Sequence, residues 1–333
     1  MEAIETRSLS KQYGKRTACR EMSLTVHPGE IFGLLGPNGA GKTSFVKMLA
    51  DLVRPSGGEA FIFGEKPQSR AAKRRIAFLP EAFRFHQWLT GREVLRLHGR
   101  LYGLERSRVE DRIPSVLETV RLSGAEGYEV GSYSKGMQQR LGLAVTLLSE
   151  ADIVMLDEPT SALDPIGRRE VRELLVELRN RGMTVFLNSH LLSEVEMVSD
   201  RVAFVREGRI VQTGPLEEFL SREVELEIEL DGQDDGRARE LLSGFGTVRA
   251  ARKGVLTVSG IERERIPEAI GRLAEAGLRI YAAGPRRRTL EDIFVEIMGV
   301  TEVKAAETRA KDAAADDARA DGEGDDGEGD EAQ

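Results

Sequence analysis

The chain is poor in the residues that mark several large protein classes. It has one cysteine, Cys19, among 333 residues, so no internal disulfide forms, which suits a reducing compartment. No cysteine–histidine spacing of a zinc site is present. Nowhere do about 18 uncharged apolar residues run together, so no membrane-spanning helix is expected. The start, Met1-Glu2-Ala3-Ile4-Glu5, is acidic with no apolar run behind it, and no signal peptide is expected. The body also lacks an excess of either charge. Residues 305–333 hold 11 Asp and Glu against three basic residues, a difference of −8 that equals the imbalance of the whole chain. Residues 1–304 are therefore neutral. A neutral body leaves no electrostatic footprint for nucleic acid, and no such partner is expected. The acidic tail lacks aromatics and almost all bulky apolar residues. It cannot bury enough surface to fold, so residues 301–333 are expected to be a disordered, solubilising extension.

What is present is an ordinary globular composition, 40% hydrophobic and 31% charged, in a chain long enough for two domains. Residues 36–43 read Gly36-Pro37-Asn38-Gly39-Ala40-Gly41-Lys42-Thr43, which fits the phosphate-loop pattern G-x-x-x-x-G-K-[ST]. Ile31-Phe32-Gly33-Leu34-Leu35 before it reads as a buried strand. Ser44 to Ala50 reads as the opening of a helix. A glycine-rich turn between strand and helix points successive N–H groups inward at a helix N-terminus, where phosphate oxygens are favoured. Gly36, Gly39 and Gly41 allow close approach. Lys42 is placed to reach the β- and γ-phosphates, and the Thr43 hydroxyl to hold Mg²⁺.

Carboxylates follow at the end of a second apolar run, Ile153-Val154-Met155-Leu156-Asp157-Glu158-Pro159. In an open parallel sheet the carboxyl ends of the strands face the ligand crevice. One acid there holds Mg²⁺ through water, and the next accepts a proton from an attacking water. Thr184-Val185-Phe186-Leu187 ends in the same way at Asn188-Ser189-His190, and His190 is a candidate phosphate contact. His27, His86 and His98 have no such setting. Further strands are expected at Ala3–Thr6, Met22–Val26, Gly57–Gly64 and Ile76–Leu79, the last stopped by Pro80 and followed by Glu81. From about 88 to 123 the apolar spacing is helical. Ser134 is a candidate N-cap before an apolar helix, and a further amphipathic helix is expected from about Arg168 to Arg181. A hairpin spans Arg201–Val205 and Arg209–Gln212. Tyr13, alone in a polar stretch, fits either packing or stacking on a base.

Taken together, these residues resemble the ATP-binding-cassette ATPases over about residues 1–220. The phosphate loop alone indicates only a nucleotide. The specific marks are Ser134, Gly136 and Gln138 in a Ser-x-Gly-x-Gln segment some 20 residues before the acidic strand, Asp164 in Ser161-Ala162-Leu163-Asp164, and His190 after the next strand. The resemblance implies an α/β fold: a P-loop nucleotide-binding domain with edge antiparallel strands and an inserted helical subdomain over about 84–142. It implies adenine stacking by Tyr13, phosphate binding by Gly36 to Ser44, and Mg²⁺ on Thr43 and, through water, on Asp157. Glu158 is then the general base and His190 a γ-phosphate contact. It implies that Ser134 and Gly136 of one chain close over the ATP of another, with Asp164 coupling the two sites. The chain would thus act as a homodimer or heterodimer, with a separate integral-membrane permease as partner and a place on the inner face of the cell membrane. A soluble cassette protein acting on ribosomes or nucleic acid is the rival reading.

Two departures stand out. Glu81 occupies a position where most members carry Gln, adding a charge beside the phosphates while still suiting Mg²⁺. Leu79-Pro80-Glu81 resembles one exporter branch in which ATPase and permease are separate chains. Lys135-Gly136-Met137 replaces a more usual Gly-Gly. Residues 221–300 are expected to form a small α+β domain. Val224–Leu230 alternates as a half-exposed strand, Val255–Val258 and Leu278–Tyr281 are two more, and Pro267–Ala276 is a helix. Thr289 caps a last helix, and the Thr289-Leu290-Glu291-Asp292-Ile293-Phe294 segment is common in the same branch.

Overall fold

The computed structural model describes residues 1–161, 163–220, 224–232 and 235–299. The expected disordered tail, residues 301–333, lies outside them.

The chain opens with two long antiparallel strands, β1 (Ile4–Tyr13) and β2 (Arg16–Val26). The short, fully buried β3 (Ile31–Leu35) leads through the phosphate-loop sequence into α1 (Lys42–Leu49). Next come β4 (Gly57–Ile62), α2 (Arg70–Arg74) and β5 (Ile76–Leu79). Three helices follow: α3 (Gly91–Leu101), α4 (Arg106–Thr119) and α5 (Lys135–Leu148). Then alternate β6 (Ile153–Asp157), α6 (Pro165–Asn180), β7 (Thr184–Asn188) and α7 (Leu192–Val198). A hairpin, β8 (Arg201–Arg206) and β9 (Arg209–Pro215), and the short α8 (Leu216–Phe219) close this part.

The strands form two sheets here. One is antiparallel, in the order β2-β1-β4. The other has six strands in the order β5-β6-β7-β3-β8-β9. Its first five run parallel and β9 is antiparallel on the edge. Central parallel strands are covered on both faces, so they are apolar throughout rather than alternating. Every residue of β3, β6 and β7 is buried. Their main core contains Phe32, Phe45, Met155 and Phe186 beside apolar residues of β1 and β2. The rings of Phe32 and Phe186 stack with centroids 5.7 Å apart. Because β3, β5, β6 and β7 are parallel, all four release their chains at one edge. That edge receives the glycine-rich loop, Glu81, Asp157–Glu158 and Asn188–His190.

The helical stretch is anchored locally. Thr90 caps α3 in a reciprocal box: its hydroxyl accepts from the Glu93 N–H, and the Glu93 carboxylate accepts from the Thr90 N–H at 2.8 Å. α6 begins three residues earlier than the expected Arg168, because Asp164 caps it and Pro165 supplies the fixed φ of a first helical residue.

A third sheet, of four strands, follows, in the order β11-β12-β10-β13. Its strands are β10 (Val224–Leu230), β11 (Thr247–Arg252), β12 (Val255–Ser259) and β13 (Ile280–Arg287), with α9 (Asp235–Leu242) and α10 (Ile266–Glu275) between them. It has its own core, including Leu226, Ile228, Leu242, Leu256, Val258 and Leu273. The alternation of β10 sends Leu226, Ile228 and Leu230 into that core. Glu225, on the other face, is nevertheless only 5% exposed. It is held by the Ser259 hydroxyl, which donates to it at 2.6 Å, and by Arg288 at 3.6 Å. β13 starts at Ile280 and runs to Arg287, longer and later than expected. α11 (Leu290–Met298) is the last described helix.

Candidate functional site

The strand-to-helix turn at residues 36–41 lies where backbone meets backbone. A Cβ on Gly36 would stand 2.3 Å from the Val205 carbonyl oxygen, and one on Gly41 would stand 2.1 Å from that of Ala18. Gly41 also has φ +104°, which side-chain-bearing residues avoid. The loop therefore nests against β2 and β8 only because these positions are bare. The Lys42 ammonium folds back under it, donating to the carbonyls of Gly36 at 2.7 Å and Pro37 at 3.3 Å. Burial pulls its pKa down, while Glu158, Asp157 and Glu81 pull the other way.

The loop faces an open cavity lined by Arg16, Ala18, Asn38 to Ser44, Glu81, Glu158, Asn188 and His190. A concave site where several polar groups converge is the setting of a small-molecule site. Asp157, the last residue of β6, is 2% exposed. The Asn188 amide, its cross-strand partner, donates to its carboxylate. Burial pushes the Asp157 carboxyl up, and the neighbouring Glu81 and Glu158 add to that. Hydrogen bonds from Asn188 and Thr43 oppose it. The charge at Asp157 thus costs stability as pH rises through its raised pKa, and a cation placed against it would offset that cost.

Glu158 has φ +53°, a left-handed conformation that costs a residue of this kind about 1 kcal/mol. Its N–H donates to the Asn188 carbonyl at 2.8 Å. Its carboxylate lies 2.7 Å from Nδ1 of His190 and accepts weakly from the Ser189 hydroxyl at 3.5 Å. Such strain at a carboxylate aimed into a cavity is a mark of a functional position.

Not all expected residues converge. Tyr13 does not line the cavity. It sits 46% exposed at the tip of the β1–β2 hairpin, with the Lys11 ammonium 4.9 Å from its ring centroid. Ser134, Gly136, Gln138 and Asp164 also lie away from the cavity, at the N-termini of α5 and α6. The Ser134 hydroxyl accepts from the Met137 N–H at 3.2 Å, and the Asp164 carboxylate from the Gly167 N–H at 2.7 Å. The Gln138 amide donates to the Tyr133 carbonyl at 3.2 Å. Within one chain, Ser134 and Asp164 are helix caps.

Beyond Ala18, two polar residues lining the cavity were not singled out from sequence. Asn188 reads as the end of an apolar run, and only the β6–β7 register sets it beside Asp157. Arg16 reads as a surface charge, and only the hairpin brings it to the loop.

The donor set fits Mg²⁺. Thr43 offers a hydroxyl and Asp157 and Glu81 carboxylates, all hard oxygens, and the buried Oδ1 of Asn188 has no hydrogen-bond partner. Among the described residues no group of three or more His, Cys, Asp or Glu is placed to cage a metal. Mg²⁺ uses one or two carboxylates together with substrate phosphates and water, and needs no such cage.

Comparison with known proteins adds an independent line. Residues 19–161 match the sequence profile of the family described as ABC transporter. An uncharacterized ABC transporter ATP-binding protein of Nostoc sp. is 44% identical over 208 residues, and the match spans 62% of each chain. The bacitracin transport ATP-binding protein BcrA of Bacillus licheniformis is 38% identical over 306 residues, 89% of this chain and 97% of that one. The Nod factor export ATP-binding protein I of Burkholderia thailandensis is 35% identical over 301 residues, 89% and 97% of the two chains. Among solved structures, an ATP-binding subunit of an ABC transporter superposes with a TM-score of 0.60 at 29% identity, covering 65% of this chain and 91% of that one.

Proposed function

This chain belongs to the ATP-binding proteins of ABC transporters, and from that premise we propose that it is the ATP-hydrolysing subunit of a membrane exporter. The observation that carries the hydrolytic part is the meeting of Lys42, Glu158 and His190 in the cavity of a glycine-rich loop, with Asp157 buried beside them. The loop N–H groups and Lys42 bind and orient the triphosphate. Thr43, Glu81 and, through water, Asp157 would hold Mg²⁺, which would neutralise charge on the phosphate oxygens. Glu158 takes a proton from water as it attacks the γ-phosphate, and His190, hydrogen-bonded to it, fixes its direction. Tyr13 stacks on adenine. Ser134, Gly136 and Gln138 of a second copy or a related chain meet the nucleotide across a two-fold interface, and Asp164 couples the two sites.

Export is favoured by the exporting and transporting relatives, whose likeness extends through the four-stranded sheet. No helix among the described residues is long and apolar enough to cross a membrane, and this reading assigns the path to a separate permease. The contact falls on the helical stretch after Glu81. There Phe83 turns inward toward Gly142, whereas Trp88 is 69% exposed beside His86, with Leu101 and Tyr102 also exposed. Exposed aromatics of this kind anchor interfaces.

The test is co-purification from gently solubilised membranes, followed by mass spectrometry. A polytopic membrane protein in stoichiometric amount is expected, and Trp88→Ala should lose it while ATP hydrolysis in detergent persists. Recovery with ribosomal proteins alone would overturn the exporter reading and leave the ATPase.

A further inference from the structure

Among the described residues, Arg16 is the one cation lining the cavity that the reaction above does not use. It is the cross-strand partner of Tyr13 at the end of the β1–β2 hairpin. The two intervening residues are Gly14, with φ +56°, and Lys15. That tight turn carries the side chain over the loop, where an Nη atom lies 3.7 Å from the place a Cβ on Gly39 would occupy. Two carboxylates, Glu81 and Glu158, line the same cavity. Arg16 nevertheless pairs with neither. Among the described residues its guanidinium makes no hydrogen bond, ion pair or ring contact.

We propose that Arg16 binds the polyphosphate of the nucleotide, as a second cation beside Lys42. This rests on the reading of the cavity as a nucleoside-triphosphate site. Three observations support it. Among the described residues Lys42 is the only other lysine or arginine lining the cavity, and its ammonium also donates to the carbonyls beneath the loop. The cavity already holds two carboxylates from its own walls, so a polyphosphate entering it needs more positive charge than one buried lysine supplies. A guanidinium is a planar fork matched to phosphate oxygens, and an exposed, unpaired one is free to turn onto them. The neighbouring geometry leaves it that freedom. Lys11, not Arg16, is tied down on this hairpin: its ammonium donates to the Arg54 carbonyl at 2.7 Å and lies over the Tyr13 ring. The hairpin tip thus divides the ligand, with an aromatic ring for the base and a guanidinium for the phosphates.

The experiment measures displacement of a fluorescent ATP analogue from the full chain by ATP and by inorganic tripolyphosphate, which has neither base nor sugar. Arg16→Ala is expected to weaken both competitors by the same factor, about tenfold, the loss of one charge-assisted hydrogen bond. Arg16→Glu should weaken both further, because it brings a third carboxylate to the cavity. Arg16 is exposed at a hairpin tip, so both variants should melt with the wild type. Unchanged affinity for ATP in Arg16→Ala overturns the proposal. So does a loss confined to ATP, which would place the guanidinium on sugar or base, and so does equal binding by Arg16→Ala and Arg16→Glu. If the wild type itself binds neither the analogue nor ATP, the nucleotide reading of the cavity fails instead.

Discussion

Replacing Glu158 by glutamine keeps the size of the side chain and one oxygen, but removes its basicity. The His190 contact at 2.7 Å places the carboxylate in the cavity, so the variant should bind ATP with little change. Steady-state hydrolysis should fall by about 10²- to 10⁴-fold, the usual worth of a general base. A wild-type rate in a coupled-enzyme assay would remove Glu158 from the reaction. The single cysteine makes a second test at this scale. Burial pushes the Cys19 thiol up to about 11 from an ordinary value near 9, and its Sγ donates to the Gly41 carbonyl at 3.4 Å. The fold therefore favours the neutral thiol. Its contribution to stability is present below pH 9 and is lost as pH rises toward 11. At pH 8, iodoacetamide should modify the native chain at least about a hundred times more slowly than the chain in urea, since only the thiolate reacts. Equal rates would mean that the β2 contact with the loop is open in solution.

Helix starts are where side chains do two jobs. Asp164 caps α6 through the Gly167 N–H, and the proposed function gives it a second task between two sites. Asparagine caps as well as aspartate, whereas alanine does not. Asp164→Asn should therefore keep the thermal midpoint, while Asp164→Ala should lose about 1 kcal/mol of stability. Hydrolysis that falls in both variants separates the coupling task from the cap. If hydrolysis falls only with stability, capping is the whole role. The elements themselves were largely readable because their signals are local. Buried parallel strands are short apolar runs, as at 31–35, 153–157 and 184–188. The start of α5 followed from Ser134, but that of α6 did not, because Asp164-Pro165 reads as a turn until the chain beyond it is seen to wind. α7, α9 and β11 went unread. Thr247-Val248-Arg249-Ala250-Ala251-Arg252 has little alternation, and its strand exists because β12 offers a register to it.

For the molecule as a whole, the proposed function turns on association. A Cβ on Gly136 would stand 3.6 Å from Leu163 Cδ2 and 3.8 Å from Ser134 Oγ, ordinary contacts. Gly136→Ala should therefore fold, with a thermal midpoint at or above that of the wild type, since alanine favours a helix over glycine. In a Glu158→Gln background, ATP and Mg²⁺ should drive the chain to a dimer in light scattering. Adding Gly136→Ala should weaken that dimer at least tenfold if the residue packs against the partner's nucleotide, as the proposed interface requires. A dimer of unchanged strength would clear Gly136 from it.

The sequence alone determined the phosphate loop, the Asp157–Glu158 pair and the carboxyl-edge position of His190. Each is a short run whose chemistry and local structure share the same few residues. It also determined the inward face of the four-stranded sheet, through the alternation of Leu226, Ile228 and Leu230. Tertiary structure alone decided which of these groups meet. Asn188 reaches Asp157, and Arg16 reaches the loop, across separations of 31 and more than 20 residues that no periodicity records. It decided too that Glu158 stands in a left-handed conformation and that Glu225 is buried. Both are settled by neighbours distant in the chain: Asn188 and His190 for the first, Ser259 and Arg288 for the second. Local signals fix what a segment is. Only strand order, register and packing fix what it faces.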